Sequence, residues 1–303
     1  MIKLRKILGK EGKTLKRFFV ILLGIIGFIG LYIIFLNPIN FSWWPLGNQR
    51  TQSVTSEGIE MIEIDASGVS TTIIPESRED LKADLDGKGK LTVKQHGDKV
   101  KVSAKQKWKW LGWLFHNKAR LNIYIPEDYD RNMAINLGSG NLNFSGLSKN
   151  EPMKLDELIL DIGSGNVNLK NVSVKHFEHD GSSGNVDIDS LTTETGSFDI
   201  SSGNLKVKHY IGAIEAELSS GNLNIQMDEL TDSVDIEVSS GVVDLNLPTD
   251  ADFTLNGKTN SGNITCDFPL TSKKIDNKNI KGTHGSGEHP IDVSVSSGYI
   301  KIY

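Results

Sequence analysis

The hexapeptide Ser202-Gly203-Asn204-Leu205-Lys206-Val207 is one copy of a motif that occurs eight times in the chain. A serine precedes the glycine in every copy, and an asparagine follows it in six of the eight. The glycines lie 18 to 25 residues apart, except for an interval of 36 residues before the last copy. An internal repeat of this length is typical of a solenoid, in which each repeat forms one coil. The eight glycines are Gly140, Gly165, Gly184, Gly203, Gly221, Gly241, Gly262 and Gly298.

Each copy continues as a β-strand with one buried face. The residues two and four positions after the glycine are apolar in all eight copies, whereas the residue between them is polar. This alternation has the period of a strand. Because one coil cannot bury its apolar face alone, the coils are expected to stack through parallel strand pairing. The sequence therefore predicts an all-β parallel β-solenoid of about eight Ser-Gly-Asn coils in residues 132–303.

The Ser-Gly-Asn triplet predicts a tight corner between two strands of a coil. Glycine accepts a positive φ without steric strain, and serine and asparagine side chains bond to nearby backbone groups. The only cysteine, Cys266, falls on an inward position and is expected to be a buried, inert thiol. Coils stacked in register would also bring five asparagines into a ladder of amide hydrogen bonds. These are Asn141, Asn166, Asn185, Asn204 and Asn222.

The beginning of the chain predicts one membrane anchor. Residues 18–36 are nineteen uncharged residues, which as a helix nearly span the hydrocarbon layer of a bilayer. The basic tail, residues 1–17, carries seven Lys/Arg and one Glu, so the positive-inside rule places it in the cytoplasm and the C-terminal domain outside. Trp43 and Trp44 follow at the expected depth of the membrane interface. A buried soluble helix is the alternative interpretation.

Two further segments separate the anchor from the repeats. Residues 37–58 are polar and predict a linker, and residues 59–131 predict a β-rich cap over the open end of the solenoid. Gly68 lies in a sequence like the repeat, but polar residues stand two and four positions after it. At the other end, residues 282–290 predict a glycine-rich loop inserted before the last coil.

Composition excludes several classes of function. The chain has 303 residues, 33 Lys+Arg and 38 Asp+Glu, a formal charge of −5 and 38% hydrophobic residues. After residue 17 the balance is 26 minus 37, or −11, which disfavours a nucleic-acid partner. A single cysteine rules out an intrachain disulfide and a cysteine-based zinc cluster. No P-loop or Gly-x-Ser-x-Gly elbow occurs, and no cofactor is expected.

An enzyme must still be considered, because glycan lyases and hydrolases use parallel β-helices. Asp187 and Asp189 point outward on one strand, and Asp161 and Asp199 are expected on neighbouring coils. All six arginines precede the first coil, so the arginine base of a lyase is missing from the coil face. A solvated acidic face that keeps the rod soluble is the alternative to a catalytic site. We therefore predict no catalytic residues.

Histidines supply the candidate metal ligands. His176 and His179 lie three residues apart, and His284 and His289 flank Glu288 in the late loop. A metal site needs several such side chains to converge, and spacing alone does not show that they do. No metal is predicted.

A tryptophan-rich stretch is the most distinctive feature outside the repeat. Trp108, Trp110 and Trp113 alternate with lysines in residues 105–115. Such a stretch is a possible interaction surface for a membrane, an acidic wall polymer or a partner protein. Alternatively, the three indoles cover the end of the core as part of the cap.

The N-terminal anchor, the Ser-Gly-Asn repeats and the ending Ser296-Ser297-Gly298-Tyr299-Ile300-Lys301-Ile302 together resemble a bacterial domain family catalogued as putative adhesin, a family of unknown function. The resemblance covers residues 59–303. It is strongest to membrane-anchored members encoded beside a cell-envelope stress-response system in Gram-positive bacilli. What it implies is a cell-surface β-solenoid in an envelope-stress context, and it brings no catalytic or binding residues.

These observations favour a non-enzymatic, single-pass plasma-membrane protein whose extracellular solenoid contacts envelope proteins or cell-wall polymers. Two alternatives remain: an anchored polysaccharide-cleaving enzyme, and a sensor that signals through a membrane partner. A lateral partner in the bilayer would use Gly24, Gly27 and Gly30, which share one helix face; ordinary lipid-facing glycines are the alternative.

Overall fold

The computed structural model describes residues 50–106, 119–276 and 278–303, and this part of the chain is all-β. Within it, no helix is long and apolar enough to cross a membrane. The predicted tail, anchor and most of the predicted linker lie outside the described residues, as do the three tryptophans of the 105–115 stretch. The predicted all-β, solenoid-like fold is confirmed.

Nineteen strands of the described part join into one sheet. They are β1 (Arg50–Thr55), β2 (Met61–Glu76), β3 (Asp80–Asp86), β4 (Lys90–His96), β5 (Lys99–Lys105), β6 (Arg120–Pro126), β7 (Asn132–Ser145), β8 (Met153–Gly181), β9 (Asn185–Ile200), β10 (Asn204–Leu218), β11 (Asn222–Glu229), β12 (Val234–Val238), β13 (Val242–Asn246), β14 (Phe253–Thr259), β15 (Asn263–Cys266), β16 (Thr271–Ile275), β17 (Asn279–His284), β18 (His289–Val295) and β19 (Tyr299–Ile302).

Parallel, in-register pairing joins successive coils. Strand β8 pairs with β7 on one side and β9 on the other, and β10 continues the stack on β9. Corresponding motif residues are direct partners, as in Asn166 with Asn185 and Asn185 with Asn204. Each coil therefore has a strand before its Ser-Gly-Asn corner, the pre-corner strand, and a strand after it, the post-corner strand.

The apolar positions of the motif fill one continuous core. The inward residues of the post-corner strands, such as Leu205 and Val207, are buried. Burial of a leucine or valine side chain contributes roughly 1.5–3 kcal/mol, so each coil contributes to the stability of its neighbours. Between the coils, Phe198 packs against Phe177 and Tyr210 with ring centroids 5.5 and 5.9 Å apart.

Close approach between coils, rather than a positive φ, explains most of the motif glycines. A Cβ on Gly203 would lie 2.6 Å from the carbonyl oxygen of Gly184, and Gly241 meets Gly221 in the same way. Of the eight, Gly140 and Gly165 have clearly positive φ values, of 124° and 151°. The expected conformational reason is therefore wrong for the later copies, where the missing side chain lets backbones touch.

A second corner, present in three of the coils, was not found from the sequence. Asn171, Ser190 and His209 occupy equivalent positions and have φ values of 54°, 65° and 56°. Asparagine tolerates this left-handed conformation better than serine or histidine. Because the three residue types differ, no motif marks the position.

The last coil is inserted between two earlier ones. Strand β18 pairs in parallel with β12 on one side and β14 on the other, and β19 lies between β13 and β15. The expected loop at residues 282–290 is instead mostly strand, since it contains the end of β17 and the start of β18. The antiparallel hairpin β16–β17, which pairs with β14, turns the chain back. The C-terminal strands β18 and β19 consequently lie inside the stack, between two earlier coils, and not at its end.

At the other end, β2 pairs in parallel with β7 and so extends the stack of coils. This strand lies within the range predicted as a cap, so the parallel stack already includes part of that range. Val69, not Gly68, stands opposite Gly140, because Gly68 is an extra residue with φ 72° in an irregular register. The buried Thr71 then occupies the position of an apolar residue. Strands β5 and β6 add one more parallel level on β2, and β1, β3 and β4 close this end in antiparallel pairs.

Cys266 pairs with Ile302 at the end of β15 and is half-buried rather than fully enclosed. Its burial still raises the pKa of the thiol above its usual value. A raised pKa means little thiolate at neutral pH, which agrees with an inert role.

Candidate functional site: a polar groove on the post-corner strands

The principal cavity of the described part is a groove of about 520 Å³ that crosses four coils. It lies on the outward face of the post-corner strands, at the end of β7, in the middle of β8 and at the starts of β9 and β10. Its polar lining consists of asparagine, lysine and aspartate side chains. Seven of these residues are Asn143, Asn168, Lys170, Asp187, Asp189, Lys206 and Lys208.

Strand register places these side chains in two parallel rows. In the first row Asn143, Asn168, Asp187 and Lys206 are successive partners on neighbouring coils. In the second row Lys170, Asp189 and Lys208 follow one another in the same way. Neighbouring strands lie about 4.8 Å apart, so the rows form a regular lattice of charges and amides.

The opposite charges of the groove do not form close ion pairs. Within the described residues, none of the ammonium groups of Lys170, Lys206 and Lys208 lies within 4.0 Å of a carboxylate. One carboxylate oxygen of Asp189 is buried and has no hydrogen-bond partner in the same part of the chain. Buried polar atoms are normally satisfied, so Asp189 is an incompletely paired member of the groove lining.

The predicted asparagine ladder forms one border of the groove and is confirmed. The Nδ2 group of each asparagine donates to Oδ1 of the asparagine on the preceding coil, at 3.2, 3.2, 2.8 and 2.7 Å. The ladder runs from Asn141 to Asn222, and the next coil carries Val242 at this position. These bonds fix the coil register that places the charged rows opposite one another.

The structure divides the four aspartates of the enzyme alternative between two faces. Asp187 and Asp189 line the groove, whereas Asp161 and Asp199 lie on pre-corner strands and do not line it. Asp161 accepts a hydrogen bond from Asn136 at 3.0 Å. The four carboxylates therefore do not make one catalytic cluster.

Asp199 belongs instead to an acidic face on the pre-corner strands. Asp180, Asp199, Glu217 and Glu237 are direct partners on four successive coils, and all four are exposed. Beside them, Glu215, Asp235 and Asp292 form a second row of the same kind. Like charges directly opposite one another repel, so this face lowers the stability of the stack.

The first histidine pair does not converge. His176 is exposed and its Nδ1 lies 2.9 Å from the Thr195 hydroxyl. His179 points inward and is 2% exposed, in the same core row as Leu160 and Phe198. Its Nδ1 has no hydrogen-bond partner in the described part. Burial lowers the pKa of His179 to about 4, an effect that the backbone of Leu160 partly offsets.

The late histidines have structural surroundings. The ring of His284 packs against Phe268 with centroids 4.9 Å apart, and its Nδ1 lies 2.9 Å from the carbonyl oxygen of Pro269. The turn before Glu288 is held by Asp252, which accepts bonds from Ser286 and from the Gly287 and Glu288 amides. These donors hold the pKa of Asp252 well below its usual range. Across the described ranges, no three His, Cys, Asp or Glu side chains are grouped to hold a metal.

The predicted interaction surface at Trp108, Trp110 and Trp113 lies outside the described residues. Its two ends are described. The amide of Gln106 donates to the Ser67 carbonyl at 3.1 Å, and the amide of Ser70 donates to the Ala119 carbonyl at 2.9 Å. Gln106 and Ala119 thus lie beside Gly68, where later coils have their Ser-Gly-Asn corner.

Sequence reasoning named Asp187 and Asp189 but did not identify the groove lysines as a site. The signal was present, because Lys206 stands between two apolar residues of the motif and Lys170 and Lys208 occupy the next outward position. Alignment of the eight copies would have placed these residues in adjacent rows.

The parallel coils and the Ser-Gly-Asn corners define an all-β, solenoid-like protein. The chain belongs to the Toastrack family DUF4097, whose sequence profile matches residues 59–303. No curated protein matches the chain.

Three crystal structures match most of the chain at low sequence identity. A putative adhesin from Bacteroides fragilis is 14% identical, with a TM-score of 0.46, and the match covers 84% of this chain and 97% of that one. A putative lipid binding protein from Parabacteroides distasonis is 15% identical, with a TM-score of 0.41 and coverage of 85% and 98%. A putative cell adhesion protein from Clostridium sporogenes is 13% identical, with a TM-score of 0.26 and coverage of 84% and 98%.

Proposed function

We propose that the protein is a non-enzymatic, single-pass membrane protein whose Toastrack domain lies outside the cytoplasm and binds material of the cell envelope. The observation that carries this proposal is the polar groove, in which lysines, aspartates and amides of four coils stand side by side without close ion pairs. Membership of a family with adhesin-like relatives agrees with a binding role. The anchor and orientation rest on the apolar residues 18–36 and the basic residues 1–17.

An accessory role in the response to envelope stress is part of the proposal. It is supported by the resemblance to anchored members encoded beside such a system. In this proposal a membrane partner carries the signal across the bilayer. Trp108, Trp110 and Trp113 are the proposed contact for that partner.

Two experiments test this proposal. The first treats intact cells and opened cells with protease or with a membrane-impermeant labelling reagent. We expect the C-terminal domain to be cleaved or labelled in intact cells, because it lies outside.

The second isolates the full-length protein from its own membranes beside the Trp108/Trp110/Trp113→Ala variant. An envelope or membrane protein that is lost with the tryptophans supports the contact. A C-terminal domain that is protected in intact cells would contradict the proposed orientation. If the variant isolates the same partners as wild type, the tryptophans are not the contact, and the alternative that they cover the end of the core is favoured.

A second candidate function, an anchored glycan-cleaving enzyme, is favoured by one observation: Asp187 and Asp189 share the groove. Paired carboxylates are the catalytic groups of most glycoside hydrolases. The test is release of sugar from wall material by the purified protein. Release that disappears in both Asp187→Asn and Asp189→Asn would replace the binding role with this one.

A further inference from the structure

We infer that the groove binds an acidic glycan, a hydroxyl-rich chain whose anionic groups contact the lysines while its hydroxyls contact the amides and carboxylates. This inference rests on the proposed function and deepens it, since it names the class of envelope material that the groove takes.

The lysines set the spacing of the anionic groups. Lys206 and Lys208 lie two residues apart on one strand, about 7 Å along it, and both point outward. Lys170 and Lys208 lie two coils apart in the same row, about 10 Å across the strands. A chain with an anionic group every 7–10 Å therefore contacts all three ammonium groups. All three lysines are exposed, so their ammonium groups are accessible to a ligand.

The remaining polar groups fit hydroxyls better than further anions. Within the part of the chain that is described, the side-chain amides of Asn143 and Asn168 make no hydrogen bond, and each offers donors and an acceptor. Asp187 and Asp189 only accept hydrogen bonds when ionised, so they need donors.

Other polymers fit less well. A single-stranded nucleic acid binds largely by stacking its bases on aromatic side chains, and none of the described residues that line the groove is aromatic. Two aspartates between the lysines also repel a densely charged phosphate backbone. A neutral glycan would leave the three ammonium groups without counter-charges.

The test measures binding of a hyaluronan octasaccharide, a uronate glycan with one carboxylate per disaccharide, to the full-length protein in detergent micelles by calorimetry. A neutral galactose oligosaccharide, inorganic polyphosphate and single-stranded DNA are run beside it. The charge variant is Lys206→Gln/Lys208→Gln, and its matched control is Lys149→Gln/Lys154→Gln, which removes the same charge from exposed lysines outside the groove. An uncharged variant, Asn168→Leu, removes one amide from the floor.

We expect the uronate octasaccharide to bind, roughly tenfold more weakly after the groove lysines are replaced and within about twofold of wild type in the control. Asn168→Leu should weaken the uronate but leave polyphosphate unchanged, and unfolding temperatures should show that the variants are folded. Equal affinity for polyphosphate or DNA, an equal loss in the control, or absence of uronate binding would each overturn the inference. The protease and co-purification experiments are unaffected by these outcomes, so failure here is distinguishable from failure of the proposed function.

Discussion

Gly298 lies directly on Gly241, although Gly262 separates the two in the sequence. A Cβ on Gly298 would overlap the carbonyl oxygen of Gly241, and a Cβ on Gly262 would lie 2.5 Å from the carbonyl oxygen of Gly298. The order of coils in space is therefore Gly241, Gly298, Gly262. Because the last coil has a coil on both sides, the C-terminal residues stabilise two neighbours at once.

We predict that Ile300→Ala, in the inserted coil, destabilises the protein by about 3–4 kcal/mol. Ile300 is fully buried between Val243 and Ile264, so its removal leaves a cavity that two coils share. Ile264→Ala, on the partly exposed coil that follows, is the matched control and should cost about 1–2 kcal/mol. The measurement is the free energy of unfolding in urea. Equal losses would mean that the inserted coil is no more critical than its neighbour.

Gly203→Ala should destabilise the protein by about 2–3 kcal/mol, because the new methyl group would lie 2.6 Å from the Gly184 carbonyl oxygen. The two coils must separate locally to admit it, which also weakens the asparagine ladder beside them. Ser202→Ala, at the preceding exposed residue, is the control and should change the free energy of unfolding by less than about 0.5 kcal/mol. A tolerated Gly203→Ala would contradict the close-approach explanation of the motif.

Val242→Asn should extend the asparagine ladder and stabilise the protein by roughly 0.5–1 kcal/mol. Val242 stands opposite Asn222 and is 39% exposed, so the change removes an exposed apolar side chain and offers an amide to Asn222 Oδ1. Val242→Ala removes the same side chain without supplying the amide. If thermal unfolding shows equal midpoints for the two variants, the ladder bonds contribute nothing measurable.

The repeat predicts the coils because each copy contains its own corner and its own alternation of apolar and polar residues. These local patterns do not depend on the order in which the coils stack. The position of the last coil could not be predicted in this way. Nothing in the sequence near Gly298 shows whether its coil stacks after the coil of Gly262 or inserts between the coils of Gly241 and Gly262. All these coils offer the same kind of strand edge for pairing. The strand that contains Gly68 was left out of the repeat for a related reason. Gly68 is one extra residue that shifts the strand register, so the residues counted from it have the wrong polarity for the motif.

The candidate site was only partly predictable. The outward direction of Asp187 and Asp189 follows from the period of the strand, and in-register stacking makes Lys206 and Lys208 their neighbours. The depth of the groove and the buried oxygen of Asp189 depend on side-chain packing across four coils, which no single copy of the motif contains.

Glu217→Gln should raise the stability of the protein by roughly 0.5 kcal/mol at low salt, because Glu217 stands between Asp199 and Glu237. Added sodium chloride screens the same repulsion, so the difference between variant and wild type should shrink as salt increases. Asp187→Asn is the control, since Asp187 has Lys206 beside it rather than another acid. Stabilisation by both changes would point to net charge rather than to the acidic rows.

Replacement of His179 should remove a large part of the acid sensitivity of the protein. Burial lowers the pKa of His179 to about 4 in the folded state, whereas an unfolded chain has a value near 6.5. Between these values the unfolded state binds more protons, so stability falls as the pH is lowered from about 6.5 to 4 and the loss then levels off. The total loss from this group is about 3 kcal/mol.

His179→Leu keeps an apolar side chain between Leu160 and Phe198 and removes the proton-binding group. We expect its free energy of unfolding to depend less on pH than that of wild type between pH 6.5 and 4, with the two curves converging or crossing as the pH falls. His176→Gln replaces an exposed imidazole three residues away and is the control for the loss of a histidine. Parallel curves for wild type and His179→Leu would show that protonation of this buried ring does not limit stability in acid.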